Sequence, residues 1–398
     1  MYVQLGVVCG ITLWFECVVS QPKFGSIICS SMKSIHIVSM KSISIVFTAL
    51  LPLASARTVQ LSNVKLPRDQ NGQPIMTGET DVLMHAGTYY VYVNNWGGCA
   101  DIDCCKTSGG CASCCMRAEG DPCVYTNNHT VVVYRTSLDG PWEYLGVALA
   151  RKDRLDGILF RPHVVYNSKH KRFVMWYMNR HPGQEGYAIA VADSPEGPFV
   201  ETRNSTKMHG PGRRDGAGDF QIFVDDDSVA YHVRDSFVIE KLADDYMTPT
   251  GVFGHFAPPR SSEGPVVFRR GKSYYVLTGS ACCACKGGSS IDVFVASAPL
   301  GPYTYLGDVG SDPKQPYDPH SPLNFVTRAQ GSTVFVVPGG ADGENQYLWL
   351  GTQWVTSPLP GHPRNHDLFF FANLPFTPNG TIEQLEWRDA ATVTLPGS

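Results

Sequence analysis

Long basic tracts are missing from this chain. Its 32 Lys and Arg are scattered among 36 Asp and Glu, and the formal net charge is only −4. Without a cationic block nothing stands ready to neutralise a phosphate backbone, which argues against nucleic acid as a partner. An uninterrupted apolar run of the roughly 20 residues that a membrane-spanning helix needs is missing as well. The nearest candidate, Val7 to Phe15, is short and is broken by Glu16, so no membrane anchor is expected. No Pro/Ser-rich linker or low-complexity tract divides the chain, and one large domain is the expected count.

What is present begins with a leader. Met40 to Ala56 has a short basic start, an apolar centre and an Ala-x-Ala end, the three parts of a secretory signal. Within the leader segment 1–56, residues 1–39 are expected to lie upstream of the true start at Met40, and cleavage after Ala56 is expected to leave residues 57–398 as a secreted, extracellular domain. Cys9, Cys17 and Cys29 go with the leader. Seven of the remaining cysteines cluster at Cys99, Cys104, Cys105, Cys111, Cys114, Cys115 and Cys123, and three at Cys282, Cys283 and Cys285. In an oxidising compartment thiols pair, so disulfides are preferred here over a zinc half-site at Cys111-x-x-Cys114. Both clusters are odd, so complete pairing needs a bridge between the two loops. The sequons at Asn128, Asn204 and Asn379 fit the same route.

One design then recurs five times. Its copies open at Glu79-Thr-Asp-Val-Leu-Met, Arg161-Pro-His-Val-Val-Tyr, Asp219-Phe-Gln-Ile-Phe-Val, Glu263-Gly-Pro-Val-Val-Phe and Gln330-Gly-Ser-Thr-Val-Phe. After each come a turn-prone stretch and an aromatic strand: Tyr89-Tyr-Val-Tyr, Phe173-Val-Met-Trp, Ala230-Tyr-His-Val, Tyr274-Tyr-Val-Leu and Tyr347-Leu-Trp-Leu. From head to matching aromatic (Tyr90, Phe173, Tyr231, Tyr275 and Tyr347) is 11 residues in copy one, 12 in copies two to four and 17 in copy five, whose excess lies in its Gly-rich turn. Further strands follow each pair. In copies one, two and four these include a Gly-Pro-aromatic turn at Trp142, Phe199 and Tyr303, whose ring is expected to pack between neighbouring units. Copy five is expected to end with His366 to Phe371 and Ile382 to Trp387. Hairpin repeats of this size predict an all-β, five-bladed β-propeller with a disulfide-rich loop insertion in blade one.

In a propeller the innermost strands line a central channel, and their heads meet at one mouth. The fold would thus gather Glu79, Arg161, Asp219, Glu263 and Gln330. Like charges raise one another's pKa and an arginine lowers its neighbour's, so such a site can hold one carboxylic acid protonated beside an ionised one. Glycosidic cleavage needs that pair. The bland alternative is a ring of polar heads that merely solvates a water-filled channel. Asp81 shares a strand face with Glu79, so either residue is a candidate to reach the channel. Trp96, Trp176 and Trp354 are candidates for stacking on sugars, although buried core is the commoner fate of Trp. Asp225-Asp-Asp227 reads as a solvated turn rather than a calcium loop.

These motifs resemble glycoside hydrolase family 43. Arg161-Pro-His-Val-Val-Tyr-Asn with Phe173-Val-Met-Trp-Tyr, Asp219-Phe-Gln-Ile-Phe-Val and Ser262-Glu-Gly-Pro-Val-Val-Phe carry the likeness, which runs from about Gln70 to Trp387. Within that family the chain is most similar to the exo-β-1,3-galactanase-like branch. The resemblance implies an inverting hydrolase with Glu263 as general acid and Asp219 as the carboxylate that orients and tunes it. The family's base would fall at Glu79, with Asp81 and a water held by Gln330 as alternatives. The chain departs from the branch at Leu159-Phe160, where an acidic residue is usual. Arg161, Gln330, Asp81, His366 and Trp354 are the expected substrate-binding residues, His366 standing where relatives place a His near a central ion or water. A polysaccharide of galactan, arabinan or xylan type is the expected partner, and the protein is expected to be a monomer. No cofactor is required, and a structural calcium in the channel is compatible with this reading. Two other functions stay open: a catalytically silent glycan-binding propeller, and a retaining fructan- or sucrose-active enzyme. The Trp-Met-Asn-Asp-Pro-type signature of the last is absent.

Overall fold

The structure, a computed structural model, describes residues 2–8, 11–20, 26–37, 57–95, 129–180, 186–212, 218–280, 287–315, 325–339, 343–359 and 365–395. The signal stretch Met40 to Ala56, both cysteine clusters with their expected disulfides, Trp96 and Asn128 lie outside the described residues. Two units are separable, Met1–Ala54 and Ser55–Ser398. In the first, β1 (Tyr2–Val8), β2 (Ile11–Ser20) and β3 (Ser26–Ile37) form one antiparallel sheet in that order. Among the described residues no helix is long and apolar enough to cross a membrane.

The second unit is a five-bladed β-propeller. It starts with β4 (Arg57–Ser62). Blade one follows, with β5 (Thr80–His85), β6 (Thr88–Asn95), β7 (Thr130–Thr136) and β8 (Glu143–Leu149). Blade two holds β9 (Ile158–Asn167), β10 (Arg172–Arg180), β11 (Gly186–Ala192) and β12 (Val200–Thr206). Blade three holds β13 (Phe220–Val224), β14 (Ala230–Arg234), β15 (Val238–Leu242) and β16 (Pro249–His255). Blade four holds β17 (Ser262–Arg270), β18 (Ser273–Ser280), β19 (Asp292–Ala296) and β20 (Thr304–Asp308). Blade five holds β21 (Gln330–Val337), β22 (Gln346–Gln353) and β23 (Leu368–Asn373), and the described chain ends with β24 (Ala390–Leu395). The innermost strands touch in a closed cycle, β5 to β9, β13, β17, β21 and back to β5.

Period-two alternation explains why the sheets form a ring. On β6, Tyr89, Val91 and Val93 face blade five, where they meet Phe335, Val337 and Leu348. The intervening Tyr90 and Tyr92 face blade two and meet Val164, Phe173 and Met175. The same division repeats around the wheel, with Trp176 against Phe220, Val233 against Val276, and Phe268 against Tyr347. A sheet buried on both faces needs a neighbour on each side. The three turn aromatics behave as expected, each crossing to the blade before it. Trp142 stacks on Phe369 of blade five, Phe199 meets Tyr92 of blade one edge-on, and Tyr303 meets Phe237 of blade three.

Closure of the ring differs from the sequence expectation. Ile382 to Trp387 is not a strand and makes only an isolated bridge between Ile382 and Phe376. Instead β24 lies beside β23 and pairs antiparallel with β4 from the start of the unit. Leu61, Ala391, Val393 and Leu395 bury into the interface of blades five and one. The fully buried Asn63 fastens the seam. Its Nδ2 donates to the carbonyls of Phe371 (3.0 Å) and Arg388 (2.9 Å), and its Oδ1 accepts the Phe371 N–H at 2.7 Å. Replacing it strands buried backbone groups. Asn63→Ala should therefore lower the unfolding free energy by about 2–3 kcal/mol, read as a lower urea midpoint. An unchanged midpoint would show that the seam does not depend on this side chain.

Candidate active site

Three inner strands break register at their heads. The β9–β10 pairing skips between Phe160 and His163, at Arg161-Pro162. The β17–β18 pairing skips between Glu263 and Val266, at Gly264-Pro265, and β21–β22 skips at Ser332. Proline has no N–H for the ladder, and a bulge re-aims the side chains around it. Arg161 adopts φ 48° and Gly264 φ 57°. The left-handed region is easy for glycine but strained for arginine. At Gly264 a Cβ would lie 2.9 Å from the Gly331 carbonyl oxygen and 3.3 Å from Arg161 Nη2, so only glycine fits this approach.

The five heads form one connected cluster. Arg161 is buried at its centre. Its Nη2 lies 2.9 Å from Asp219 Oδ2, and its Nη1 donates to the Gly331 carbonyl across the pore at 2.9 Å. Glu79 Oε2 accepts the Arg161 backbone N–H at 2.6 Å, and its Oε1 stands 3.6 Å from Arg161 Nε. The Gln330 amide nitrogen joins the remaining two, at 3.1 Å from Glu263 Oε2 and 3.5 Å from Asp219 Oδ2. Asp219 Oδ2 also accepts the Gly264 N–H at 2.9 Å. Burial alone would lower the guanidinium's pKa. The carboxylates of Asp219, Glu79 and Glu263, in falling order of influence, outweigh that and hold it above its ordinary range. The site therefore keeps a permanent positive charge among three acids.

A second polar layer lies two residues further along the strands. Asp81 Oδ2 accepts the Val164 N–H at 2.8 Å and its Oδ1 lies 3.3 Å from His163 Nδ1. Gln221 accepts the Val267 N–H and donates to Thr333 Oγ1 at 3.3 Å, linking blades three, four and five. Asp81 thus braces blade one against blade two, beneath the heads rather than among them. His163 and Gln221 were not singled out from the sequence. The signal was there, because residues i and i+2 share a strand face.

The other expected residues are placed as follows. His366 lies outside the cluster, with Nδ1 2.8 Å from the Ile75 carbonyl oxygen, while the Asn365 carbonyl accepts the Thr77 N–H at 2.7 Å. Their motif braces the approach to Glu79. Trp354 is buried next to Gln330, and Trp176 is core, donating to the Tyr246 carbonyl at 2.8 Å. Asp225 is buried rather than freely solvated. It accepts from Arg269 Nη1 (2.8 Å) and the Tyr274 hydroxyl (2.6 Å). Among the described residues no group of three or more His, Cys, Asp or Glu could hold a metal ion.

A pore mouth that gathers three carboxylates, a guanidinium and an amide can supply acid/base chemistry to a polar substrate. Comparison with known proteins makes that chemistry specific. The model for glycosyl hydrolases family 43 matches residues 142–340, half of the chain and the stretch that carries Arg161, Asp219, Glu263 and Gln330. The protein belongs to glycosyl hydrolases family 43 and is a glycoside hydrolase. Among solved structures it is similar to a family 43 β-1,3-galactosidase with bound galactodeoxynojirimycin, at 20% identity and a TM-score of 0.62, covering 83% of this chain and 99% of that one. It is also similar to an exo-β-1,3-galactanase from Clostridium thermocellum, at 21% identity and a TM-score of 0.65, covering 85% and 68%. A third, an exo-β-1,3-galactanase from Phanerochaete chrysosporium with galactose, has 18% identity and a TM-score of 0.60, covering 83% and 67%. At such identities these likenesses establish the fold. No curated protein matches.

Two buried histidines near the site set its response to acid. Burial pushes His129 down to about 3, and its Nδ1 accepts the Leu159 N–H at 3.1 Å. Burial, Arg234 and His163 together hold His232 well below its usual range, in a stack on Phe220 with ring centroids 5.0 Å apart. Unfolded histidine protonates near about 6.5. Between that value and the folded ones the unfolded chain binds more protons, so stability is full above about pH 6.5 and falls as pH drops. The slope approaches about 1.4 kcal/mol per pH unit for each ring. Urea midpoints should fall between pH 7 and pH 5, and His232→Phe should flatten that dependence. An equal slope in the variant would remove His232 from the account.

Proposed function

We propose that the protein is a secreted, inverting glycoside hydrolase acting on a polysaccharide of galactan, arabinan or xylan type, with β-galactan the first choice. The choice of galactan is supported by the printed activities of the similar structures, a β-1,3-galactosidase and two exo-β-1,3-galactanases. Glu263 is the general acid that protonates the leaving oxygen, and Asp219 orients it. Glu79 is the base that draws the proton from the attacking water. Arg161, which both pairs with Glu79 and touches Asp219, holds the ring and supplies a donor to the sugar.

One observation carries this reading. A single amide, Gln330, reaches both Asp219 and Glu263, while Arg161 stands against Asp219 and Glu79. Arg161 thus places a fixed positive charge beside the proposed base and the orienting carboxylate, while the amide of Gln330 ties that orienting carboxylate to the proposed acid. On this reading Glu263 and Glu79 are the two halves of an inverting pair.

Glu263→Gln tests it. A general acid supplies about 10²- to 10⁴-fold of rate, and its worth grows as the leaving group becomes more basic. The variant should lose that much kcat on β-1,3-galactan but far less on a nitrophenyl β-galactoside, with oligosaccharide binding retained. Proton NMR of the first-formed product should show the inverted anomer. Equal losses on both substrates would defeat the role of Glu263. Binding by calorimetry with no hydrolysis in the unaltered protein would establish the silent glycan-binding alternative.

A further inference from the structure

We infer that Trp354 is a positioning residue for Gln330, fixing which end of that amide faces the carboxylates of Asp219 and Glu263. The inference rests on the assignment of Glu263 as general acid made above.

An amide side chain has two ends of opposite hydrogen-bond character, and its function depends on which end points where. The indole N–H of Trp354 lies 2.8 Å from Gln330 Oε1. Indole nitrogen only donates, so the group facing it must be the amide oxygen. The NH₂ end is thereby turned toward Glu263 Oε2 and Asp219 Oδ2. Were the amide reversed, its oxygen would face two carboxylates, and its NH₂ would oppose the indole N–H. Without Trp354 the NH₂ would still favour ionised acids. A protonated Glu263, however, is itself a donor and is best met by the amide oxygen. The indole closes that option and biases Glu263 toward giving its proton up.

The placement of Trp354 is built for this task. It follows β22 of blade five, yet with Val355 it joins an apolar cluster made mainly by blades two and three, including Phe160, Trp176 and Phe220. The ring therefore reaches past the pore and is only 2% exposed, which leaves little face for a sugar to cover. Its turn is pinned from below. The buried Asp367 accepts the backbone N–H groups of Thr356 (2.8 Å) and Ser357 (2.9 Å) through Oδ1. Gln353 Nε2 donates to the carbonyls of Asn63 and Phe369, both at 2.7 Å. The motif around Asp367 thus sets the indole, the indole sets the amide, and the amide faces the acid.

The test reads the acid directly. In Trp354→Phe the amide is released, its oxygen turns to the protonated acid, and the alkaline limb of the kcat/KM profile should move up by about one pH unit. Gln330→Ala should abolish that movement, so the double variant should match Gln330→Ala alone. A role in sugar stacking would instead raise KM in both backgrounds with the limb in place, and that result overturns the inference. Should Trp354→Phe misfold, a benzothienylalanine at 354 keeps the ring and removes only the N–H, with the same two outcomes. A readout independent of catalysis separates this from the hydrolase assignment. The Trp354 indole resonance in ¹⁵N-labelled protein, identified by its loss in the Phe variant, should move upfield and exchange faster in Gln330→Ala. An indifferent resonance refutes the inference even in a fully active enzyme.

Discussion

Burial on both faces is the constraint from which the rest of this molecule follows. Each inner hairpin carries apolar residues at odd and even positions alike, so Tyr89 and Tyr90, adjacent in the chain, end in different interfaces. A single sheet of this kind exposes a hydrophobic surface whichever way it turns. Two stacked sheets still leave two outer faces uncovered. Only a closed cycle leaves none, and the twist of each sheet sets how many blades close it. Function depends on the same closure. The heads of β5, β9, β13, β17 and β21 meet because the wheel has no gap, and the seam of β4 with β24, clamped by Asn63, is what removes the last one.

Much of this was legible in the sequence, and the reasons are physical. A polar residue placed immediately before an apolar strand has few structural uses, so its recurrence at Glu79, Asp219, Glu263 and Gln330 marked the mouth directly. The Gly-Pro-aromatic turns were legible because glycine and proline fix backbone directions locally. What failed was the end of blade five, where Ile382 to Trp387 resembled an outer strand and Ala390 to Leu395 did not stand out. The pairing partner of β24 is β4, more than three hundred residues away, and no local pattern encodes such a partner. The second polar layer was missed for another reason. The two-residue period was applied to Asp81 but not to His163 or Gln221, whose neighbours are apolar and read as core.

The hydrogen-bond polarity of the site was beyond the sequence altogether. Trp354 could be named as an aromatic candidate, but whether it offers a ring face to a sugar or an N–H to a protein group depends on a turn held by Asp367 and Gln353. The same is true of Glu79, whose place at the head of blade one suggested a base. Its close contact with the Arg161 backbone N–H could only come from the bulge that turns that N–H out of the ladder.

Arg161 shows how strain and charge are exchanged at this site. A left-handed arginine costs about 1–2 kcal/mol relative to an ordinary strand conformation, and burying a guanidinium costs several more unless it is paired. Neither would persist in a site that merely fills space. Here the unusual φ delivers the Arg161 N–H to Glu79 while its side chain crosses to Asp219 and Gly331. One residue thereby organises both ends of the acidic cluster, and each cost is offset by a contact that the other makes available. A lysine could not replace it, since a point charge on a flexible stem cannot meet Asp219 and the Gly331 carbonyl from one rigid plane. The narrow approach at Gly264 follows from the same geometry, because the Gly331 carbonyl oxygen that Arg161 binds, and then the guanidinium itself, crowd the space that a Cβ would need. Bulge, glycine and buried cation are therefore parts of a single solution, which keeps three carboxylates together in a pore mouth without letting their mutual repulsion open it.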